Sequence, residues 1–247
     1  PFLYAVFLYF RMNESVYWLA NKGRKREAVA VLANIELRAT GTATPRDPDD
    51  LIVPPAPKAA GPRALFSKDY RMLTAGVWVT YFCGCFTVYG LNAWLPSLML
   101  EKGFKLASAY SLAIANNSAA VIANCTTGFV SEAIGRRPNL IFSYLVGGLS
   151  IVLMAFAGGG FFTILAANIF MGFAVNYAIT AVQPLMAEGY PTEFRNTGVS
   201  WCQAFGRVGG ALAPIVSGIV MGMRVGLRVS FLFYVIPAVI GALAAFL

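Results

Sequence analysis

Apolar residues fall along this chain in long unbroken runs, and the charged residues collect between them. Six runs are long enough to cross a hydrocarbon core about 30 Å thick, which takes roughly 20 residues at the helical rise. They are Met72 to Leu100, Leu106 to Val130, Asn139 to Ala157, Phe161 to Ala187, Thr197 to Met223 and Val229 to Leu247. Lipid offers a bare backbone no hydrogen-bond partner, so such runs predict membrane-spanning helices and an all-α membrane protein. A shorter apolar run, Pro1 to Phe10, lacks the basic lead of a secretory signal and reads as the tail of an earlier transmembrane helix. The last run reaches Leu247 without a polar tail, so the sixth helix is expected to be truncated and both ends of the chain cut.

Three segments follow: residues 1–10 as the tail of an earlier helix, 11–71 as a polar central loop, and 72–247 as a six-helix transmembrane bundle. Within the loop, Ala28, Val31, Leu32 and Ile35 recur at helical spacing among Lys22, Arg24, Lys25, Arg26 and Arg38. That pattern predicts a basic amphipathic helix over Gly23 to Thr40, lying on a membrane face. Pro45, Pro48, Pro54, Pro55, Pro57 and Pro62 then predict a linker in largely extended conformation.

Composition agrees with the pattern: 58% of residues are hydrophobic and 12% charged, against roughly a quarter charged in soluble domains. Of the 19 Lys and Arg residues, 14 lie in the central loop or in the loops holding Arg136, Arg137 and Arg195. The opposite loops hold Lys102, Lys105, Arg224 and Arg228, so the first side is expected to be cytoplasmic and the protein a multi-pass component of the cell (inner) membrane. The net charge of +8 needs no nucleic acid to explain it. The four cysteines, Cys83, Cys85, Cys125 and Cys202, all fall in predicted spans, and the chain has no histidine. They read as small packing residues rather than zinc or disulfide frameworks. Neither a phosphate loop nor a serine with a histidine to serve it is present, so no enzyme and no cofactor is predicted.

Polar residues inside a bilayer tend to face other helices or water, and their spacing marks the helices around a pathway. One-face stripes run through the first span (Tyr81, Cys85, Tyr89, Asn92), the second (Tyr110, Asn117, Asn124), the fourth (Asn176, Thr180, Gln183) and the fifth (Ser200, Gln203, Arg207, Gly210). Such groups serve equally as hydrogen-bonding glue between helices. The third span, with Ser143, Tyr144 and Ser150, and the sixth, with Ser230 and Tyr234, are expected to face lipid. Gly206 with Gly210, and Gly218 with Gly222, form G-x-x-x-G pairs suited to close helix contact, and Pro184 and Pro214 interrupt the backbone bonding of their spans.

Three motifs carry a family resemblance. Gly128-x-x-x-Glu132-x-x-Gly135-Arg136-Arg137 follows the second span and resembles the loop signature of the major facilitator superfamily, with Glu132 where Asp is usual. Glu188-Gly-Tyr-Pro191-Thr192-Glu193-Phe-Arg195 resembles the turn after the tenth helix in the sugar, organic-ion and aromatic-acid branches. Glu14-Ser15-Val16-Tyr17-Trp18-Leu19, ahead of Lys22-Gly23-Arg24, is similar to the element after helix six, with Asn13 in place of Pro. The resemblance implies the C-terminal half of a twelve-helix major facilitator fold, partnered by an N-terminal six-helix half of the same polypeptide. It also implies alternating access and a cytoplasmic gate built from Gly128, Glu132, Gly135, Arg136, Arg137, Glu188 and Arg195, in which Gly128 lets a neighbouring helix approach.

Arg207 lies ten residues into its span, so about 15 Å deep and near the bilayer midplane. A guanidinium there costs about 2.5–3.5 kcal/mol on insertion scales, and the spans hold no acidic residue away from their ends to offset it. Its partner is water, the other half, or an anionic substrate, since a permanently charged fork suits a carboxylate. Gly206-Arg207-Val208-Gly209-Gly210 with Pro214 is similar to the eleventh helix of organic-anion transporters and aromatic-acid:proton symporters. Tyr89-Gly90-Leu91 is similar to a substrate-contacting element of the organic-anion branch. Tyr89, Tyr177 and Trp201 can stack on an aromatic acid or serve as interhelical aromatics, and Asn92, Asn117, Asn176 and Gln183 are candidate hydrogen-bonding groups. The reading is secondary transport of a small aromatic or heterocyclic carboxylate, proton-coupled through a carboxylate outside this chain. A sugar or organic-cation transporter of the same superfamily, or a non-transporting truncated half, is the alternative.

Overall fold

The computed structural model describes residues 2–12, 14–51, 61–101, 103–158, 160–223 and 225–246. Asn13, Lys102, Arg224, Leu247 and the prolines at 54, 55 and 57, all used above, lie outside the described residues. All regular structure among the described residues is helical, and it divides into two units, Pro1–Lys58 and Ala59–Leu247.

In the first unit, α1 (Phe2–Arg11) is followed by α2 (Val16–Asn21) and α3 (Lys25–Thr40). Ser15 caps α2 by accepting from the Trp18 amide. Gly23 takes a φ of 78° in the turn to α3, and Gly41 ends α3 in the left-handed region. The expected amphipathic helix is present as α3, but part of its apolar face is already covered. Ala28 is buried with Leu19 and Ala20 of α2, and Val16, Val31 and Leu51 pack around them. Ile35 is exposed. The Thr44 amide and the Arg46 guanidinium hold the half-buried Glu36 carboxyl below its ordinary range.

Short 3₁₀ turns at Pro48–Asp50 and Pro62–Phe66 replace two pieces of the expected extended linker. The fixed φ of proline suits the first position of a helical turn, and Asp47 caps the first of them through the Asp49 amide. The second belongs with the bundle. Leu65 is buried against Tyr190 and Phe194, and its carbonyl accepts from Thr74 Oγ1 at 2.9 Å. The bundle therefore begins structurally before Met72.

The second unit holds α4 (Arg71–Glu101), α5 (Leu106–Ile134), α6 (Arg136–Phe156), α7 (Phe161–Gly189), α8 (Arg195–Gly222), α9 (Leu227–Leu232) and α10 (Val235–Ala244). Five of these, and the stretch Leu227–Ala244, are long and apolar enough to cross a membrane. The sixth predicted span is thus broken. Pro237 has no N–H to offer the Phe233 carbonyl four residues back, and the chain makes i→i−3 bonds there instead, from Tyr234 to Phe231 and from Ile236 to Phe233. By contrast α4, α7 and α8 run unbroken through Pro96, Pro184 and Pro214.

α4 and α7 form the middle of the bundle. α8 lies along α4, α5 along α7, and α6 with α10 behind them. On α6 one stripe, Phe142, Leu145, Leu149, Leu153 and Phe156, is exposed at helical spacing, while Tyr144, Ile151 and Met154 are buried on the other. The outer face of α6 suits lipid. Tyr144 of α6 is interhelical glue, its Oη donating to the Thr80 carbonyl at 2.6 Å, whereas Ser143 and Ser150 bond carbonyls of α6 itself; from the α9–α10 corner Tyr234 Oη is 2.6 Å from Ser217 Oγ. α8 is the least buried span, exposing an apolar stripe (Trp201, Phe205, Val208, Leu212, Ile215, Ile219) and a second one with Ser200, Gln203 and Arg207.

Candidate functional site

α8 approaches α4 closely because glycines notch it. A Cβ at Gly206 would strike the Tyr81 ring, one at Gly209 would come 2.7 Å from the Phe82 carbonyl, and one at Gly210 would come 2.8 Å from the Tyr89 ring. The Gly206–Gly210 pair therefore seats α4 tyrosines rather than a bare backbone. In the second pair, Gly218 lies against Trp94, whose Nε1 donates to the Pro214 carbonyl at 3.1 Å, whereas Gly222 meets nothing within 4 Å among the described residues.

This seam brings Arg207 to Tyr89. Arg207 Nη1 donates to Tyr89 Oη at 2.5 Å, and the guanidinium carbon sits 5.9 Å from the ring centroid. Both side chains are exposed on the open side of the seam. The ion pairs among the described residues are Arg24–Glu27, Arg46–Glu36 and Arg136–Glu188, so Arg207 has no carboxylate partner there. About two turns nearer the basic end, Gln183 Nε2 donates to Tyr81 Oη at 3.3 Å and ties α7 to α4. Tyr81, in the polar stripe but not among the candidates, is thereby the neighbour of two of them.

The remaining candidates divide. Asn92 and Asn117 are exposed and bond carbonyls of their own helices, Val88 at 3.0 Å and Ala113 at 2.8 Å. Asn176 does likewise with Gly172 at 2.8 Å, next to Thr180, whose hydroxyl meets Asn124 Oδ1 at 2.6 Å. Tyr177 is engaged elsewhere. Its hydroxyl donates to Asn139 Oδ1 at 2.9 Å, and Asn139 in turn bonds Ser131, so this ring braces α7 against α6 and α5. Trp201 stacks on Trp78 at 6.3 Å within the apolar stripe of α8 rather than beside Arg207. Sequence reasoning passed over Asn116. It is buried, bonds Asn168 across α5 and α7, and packs on Gly172, while Asn168 Nδ2 returns a bond to the Leu112 carbonyl at 2.7 Å. The signal available was Asn168-x-x-x-Gly172, a polar and a small residue on one face of α7.

At the basic end, Arg136 and Glu188 form a two-pronged ion pair, with Nε to Oε2 at 3.0 Å and Nη2 to Oε1 at 2.7 Å. Glu132 acts on Arg136 through space and Arg195 on Glu188, and Arg195 Nε also donates to the Tyr190 carbonyl at 3.2 Å. Burial raises the Tyr190 hydroxyl above its ordinary range. Gly135 turns the chain between α5 and α6 with a φ of 90°, a conformation that favours glycine. Arg137 is exposed. Gly128 departs from the expectation of a close helix neighbour, because a Cβ there would meet nothing within 4 Å among the described residues. Of the cysteines, Cys83, Cys85 and Cys202 pack in the core, but Cys125 is exposed, contrary to the packing role expected of all four.

Comparison with known proteins bears on the family and the fold. The family described as Major Facilitator Superfamily matches residues 77–247. The gallate transporter of Pseudomonas putida is 30% identical over 184 residues, covering 74% of this chain and 40% of the relative. The 4-hydroxybenzoate transporter PcaK of Pseudomonas aeruginosa is 32% identical over 218 residues (86% and 47%), and the niacin transporter NiaP of Acinetobacter baylyi 26% over 219 (87% and 48%). The chain spans about half the length of the curated relatives it matches. Among solved structures, the transporter FucP in its outward conformation superposes with a TM-score of 0.65 at 14% identity, covering 88% of this chain and 52% of that one, a likeness of fold alone.

Proposed function

We propose that this chain, which belongs to the major facilitator superfamily, forms one six-helix side of a transporter for small aromatic or heterocyclic carboxylates, with Arg207 and Tyr89 as the carboxylate clamp. The observation that carries the reading is the Arg207 guanidinium, deep in a membrane-spanning helix, held by a tyrosine hydroxyl and facing no carboxylate among the described residues. Leaving such a charge unpaired in a membrane is costly. A carboxylate arriving from outside the chain neutralises it and takes its remaining N–H groups bidentately. Because Tyr89 Oη already accepts from Arg207, its own proton is free to be donated to the same carboxylate. Gallate, 4-hydroxybenzoate and niacin, the compounds in the relatives' names, share the aromatic or heteroaromatic scaffold this clamp would serve.

In this reading α4, α5, α7 and α8 line half of a central cavity, a second six-helix set closes it, and the two sides rock about the site. The protein sits in the cell membrane with its basic end cytoplasmic, and Arg136, Glu188, Arg195 and Glu132 form a latch that breaks when that side opens. Glu132 and Glu188 lie at helix ends, so a proton-coupling carboxylate at mid-membrane is expected from the second helix set. Arg207 disfavours an organic cation as substrate. Uptake of radiolabelled benzoate-like and nicotinate-like acids by cells expressing the protein tests the clamp. Uptake is expected to collapse in Arg207→Ala with surface expression intact, and to return only in part in Arg207→Lys. Normal transport by both variants, or transport of cations or sugars alone, would refute it.

A further inference from the structure

The turn between α2 and α3 carries Lys22, Arg24, Lys25 and Arg26, four basic residues in a stretch of five. Arg24 is paired with Glu27 at 2.7 Å. Lys22, Lys25 and Arg26 meet no carboxylate within ion-pair distance among the described residues. Asp47 and Asp49 share an open crevice of about 440 Å³ with Arg24, Lys25 and Arg26, yet neither closes an ion pair there. Trp18 and Lys22 are not among the walls of that crevice. The Lys22 amide donates to the Trp18 carbonyl at 3.0 Å, the four-residue step that puts two side chains on one side of a helix. Trp18 is 43% exposed and its neighbour Tyr17 51%. α2 thus buries Leu19 and Ala20 with Ala28 of α3 and leaves two large amphipathic rings outward beside unpaired cations.

We infer that this corner of the central loop docks on the bilayer surface and recognises anionic phospholipid headgroups through Tyr17, Trp18, Lys22, Lys25 and Arg26. The sequence pattern points to the apolar face of α3 as the membrane contact, but Ala28 and Val31 of that face are packed with α2 and Leu51. The contact passes instead to the rings of α2 and the basic turn that follows them. Two features identify the occupant as a bilayer. The first is the tether: α1 is apolar up to Arg11 and exposes Tyr4, Val6 and Phe7, as the inner end of a span does, and the inference rests on that reading of α1. Val16, the start of α2, follows Arg11 by five residues, at most roughly 18 Å of extended chain, which keeps α2 within reach of the headgroups. The second is the chemistry. Trp and Tyr gather where a bilayer meets water, because the ring is apolar and its N–H or O–H is polar. A cluster of four or more Lys and Arg beside a span attracts anionic lipid. An acidic soluble protein would satisfy the cations but offer the rings no apolar phase. The surface does not involve Arg207 and stands apart from the carboxylate reading.

The test is amide hydrogen exchange, followed by mass spectrometry, on the full chain in nanodiscs of phosphatidylcholine alone and of phosphatidylcholine with phosphatidylglycerol. Exchange over residues 15–30 should slow about fivefold in the anionic discs. High salt should abolish the slowing by screening the cations. Replacing the cluster by Lys22→Gln, Lys25→Gln and Arg26→Gln together should abolish it too, and Trp18→Ser should reduce it by about half. The three glutamines lie outside the buried group of Leu19, Ala20 and Ala28, so the triple variant should exchange like the parent in phosphatidylcholine discs. The salt arm needs no variant. Soluble glycerol phosphate added to phosphatidylcholine discs should change nothing. Slowing by glycerol phosphate would assign the turn to a small anion and overturn the bilayer surface. Equal exchange in the two discs overturns it as well, and slow exchange in both would show the rings to be covered by protein instead. Slowing that survives neutralisation or high salt, or that is untouched by Trp18→Ser, likewise overturns it.

Discussion

Tyr144 is locked between glycines of two other helices, which makes Gly84→Ala a sharp test of how the bundle is held together. A Cβ at position 84 would stand 2.5 Å from Tyr144 Oη and 3.1 Å from Ile179 Cγ1. The tyrosine cannot retreat, because its ring edge fills the space a Cβ would need at Gly241 of α10. Its hydroxyl is also committed to the Thr80 carbonyl at 2.6 Å, with the residue 3% exposed. Overpacking of a rigid core costs about 1–3 kcal/mol, and a displaced hydrogen bond adds about 1 kcal/mol. At about 2–4 °C per kcal/mol for a domain of this size, the melting temperature should fall by about 4–16 °C. A thiol-reactive dye reads this directly, since Cys83, Cys85 and Cys202 are buried in the folded bundle while Cys125 sets the baseline. Tyr144→Phe removes the clashing oxygen, and alone should cost about 1 kcal/mol. The double variant should melt above Gly84→Ala. If the two losses simply add, the clash is not the cause and the reasoning fails.

The remaining predictions concern the basic end and the braced tyrosine. Arg136→Glu should abolish uptake, and Arg136→Glu with Glu188→Arg should restore part of it, while melting shifts by less than about 1 kcal/mol equivalent because the pair is largely exposed; a swap that restores nothing would count against the latch. Gly135→Ala should destabilise by about 1–3 kcal/mol, since its φ of 90° with a ψ of 154° is nearly confined to glycine. Gly128→Ala should leave melting unchanged, because a Cβ there meets nothing within 4 Å among the described residues. Tyr177→Phe should lower stability by about 1 kcal/mol and leave acid selectivity alone, as its hydroxyl serves Asn139; a change in selectivity would return Tyr177 to the binding site.

The spans and their polar stripes were legible because a helix repeats its faces every three to four residues and lipid forbids bare backbone. Arg207 was legible for the same reason: a charge far from any loop stands out. The glycine notches of α8 were visible as G-x-x-x-G spacing, yet what fills them was not. Tyr81 and Tyr89 belong to a helix more than a hundred residues earlier, and pairing at that distance leaves no mark in local spacing. The wedging of Tyr144 between Gly84 and Gly241 is of the same kind. Pro237 did carry a local signal, since a proline must free the carbonyl four residues before it, but hydropathy averages over such a break.

The neighbours Asn116 and Asn117 show where periodicity stops being informative. A polar stripe was drawn through Tyr110, Asn117 and Asn124, and by spacing alone either asparagine could face a cavity, since they point about 100° apart. The choice is made by the rotation of α5 on α7, and two features of α7 set it. Gly172 has no side chain to hold α5 away, and Asn168 offers both a donor and an acceptor four residues earlier. Asn116 donates to the Asn168 carbonyl and turns inward, while the Asn168 amide donates to the Leu112 carbonyl of α5; Asn117 is left to donate to a carbonyl of its own helix on the exposed face.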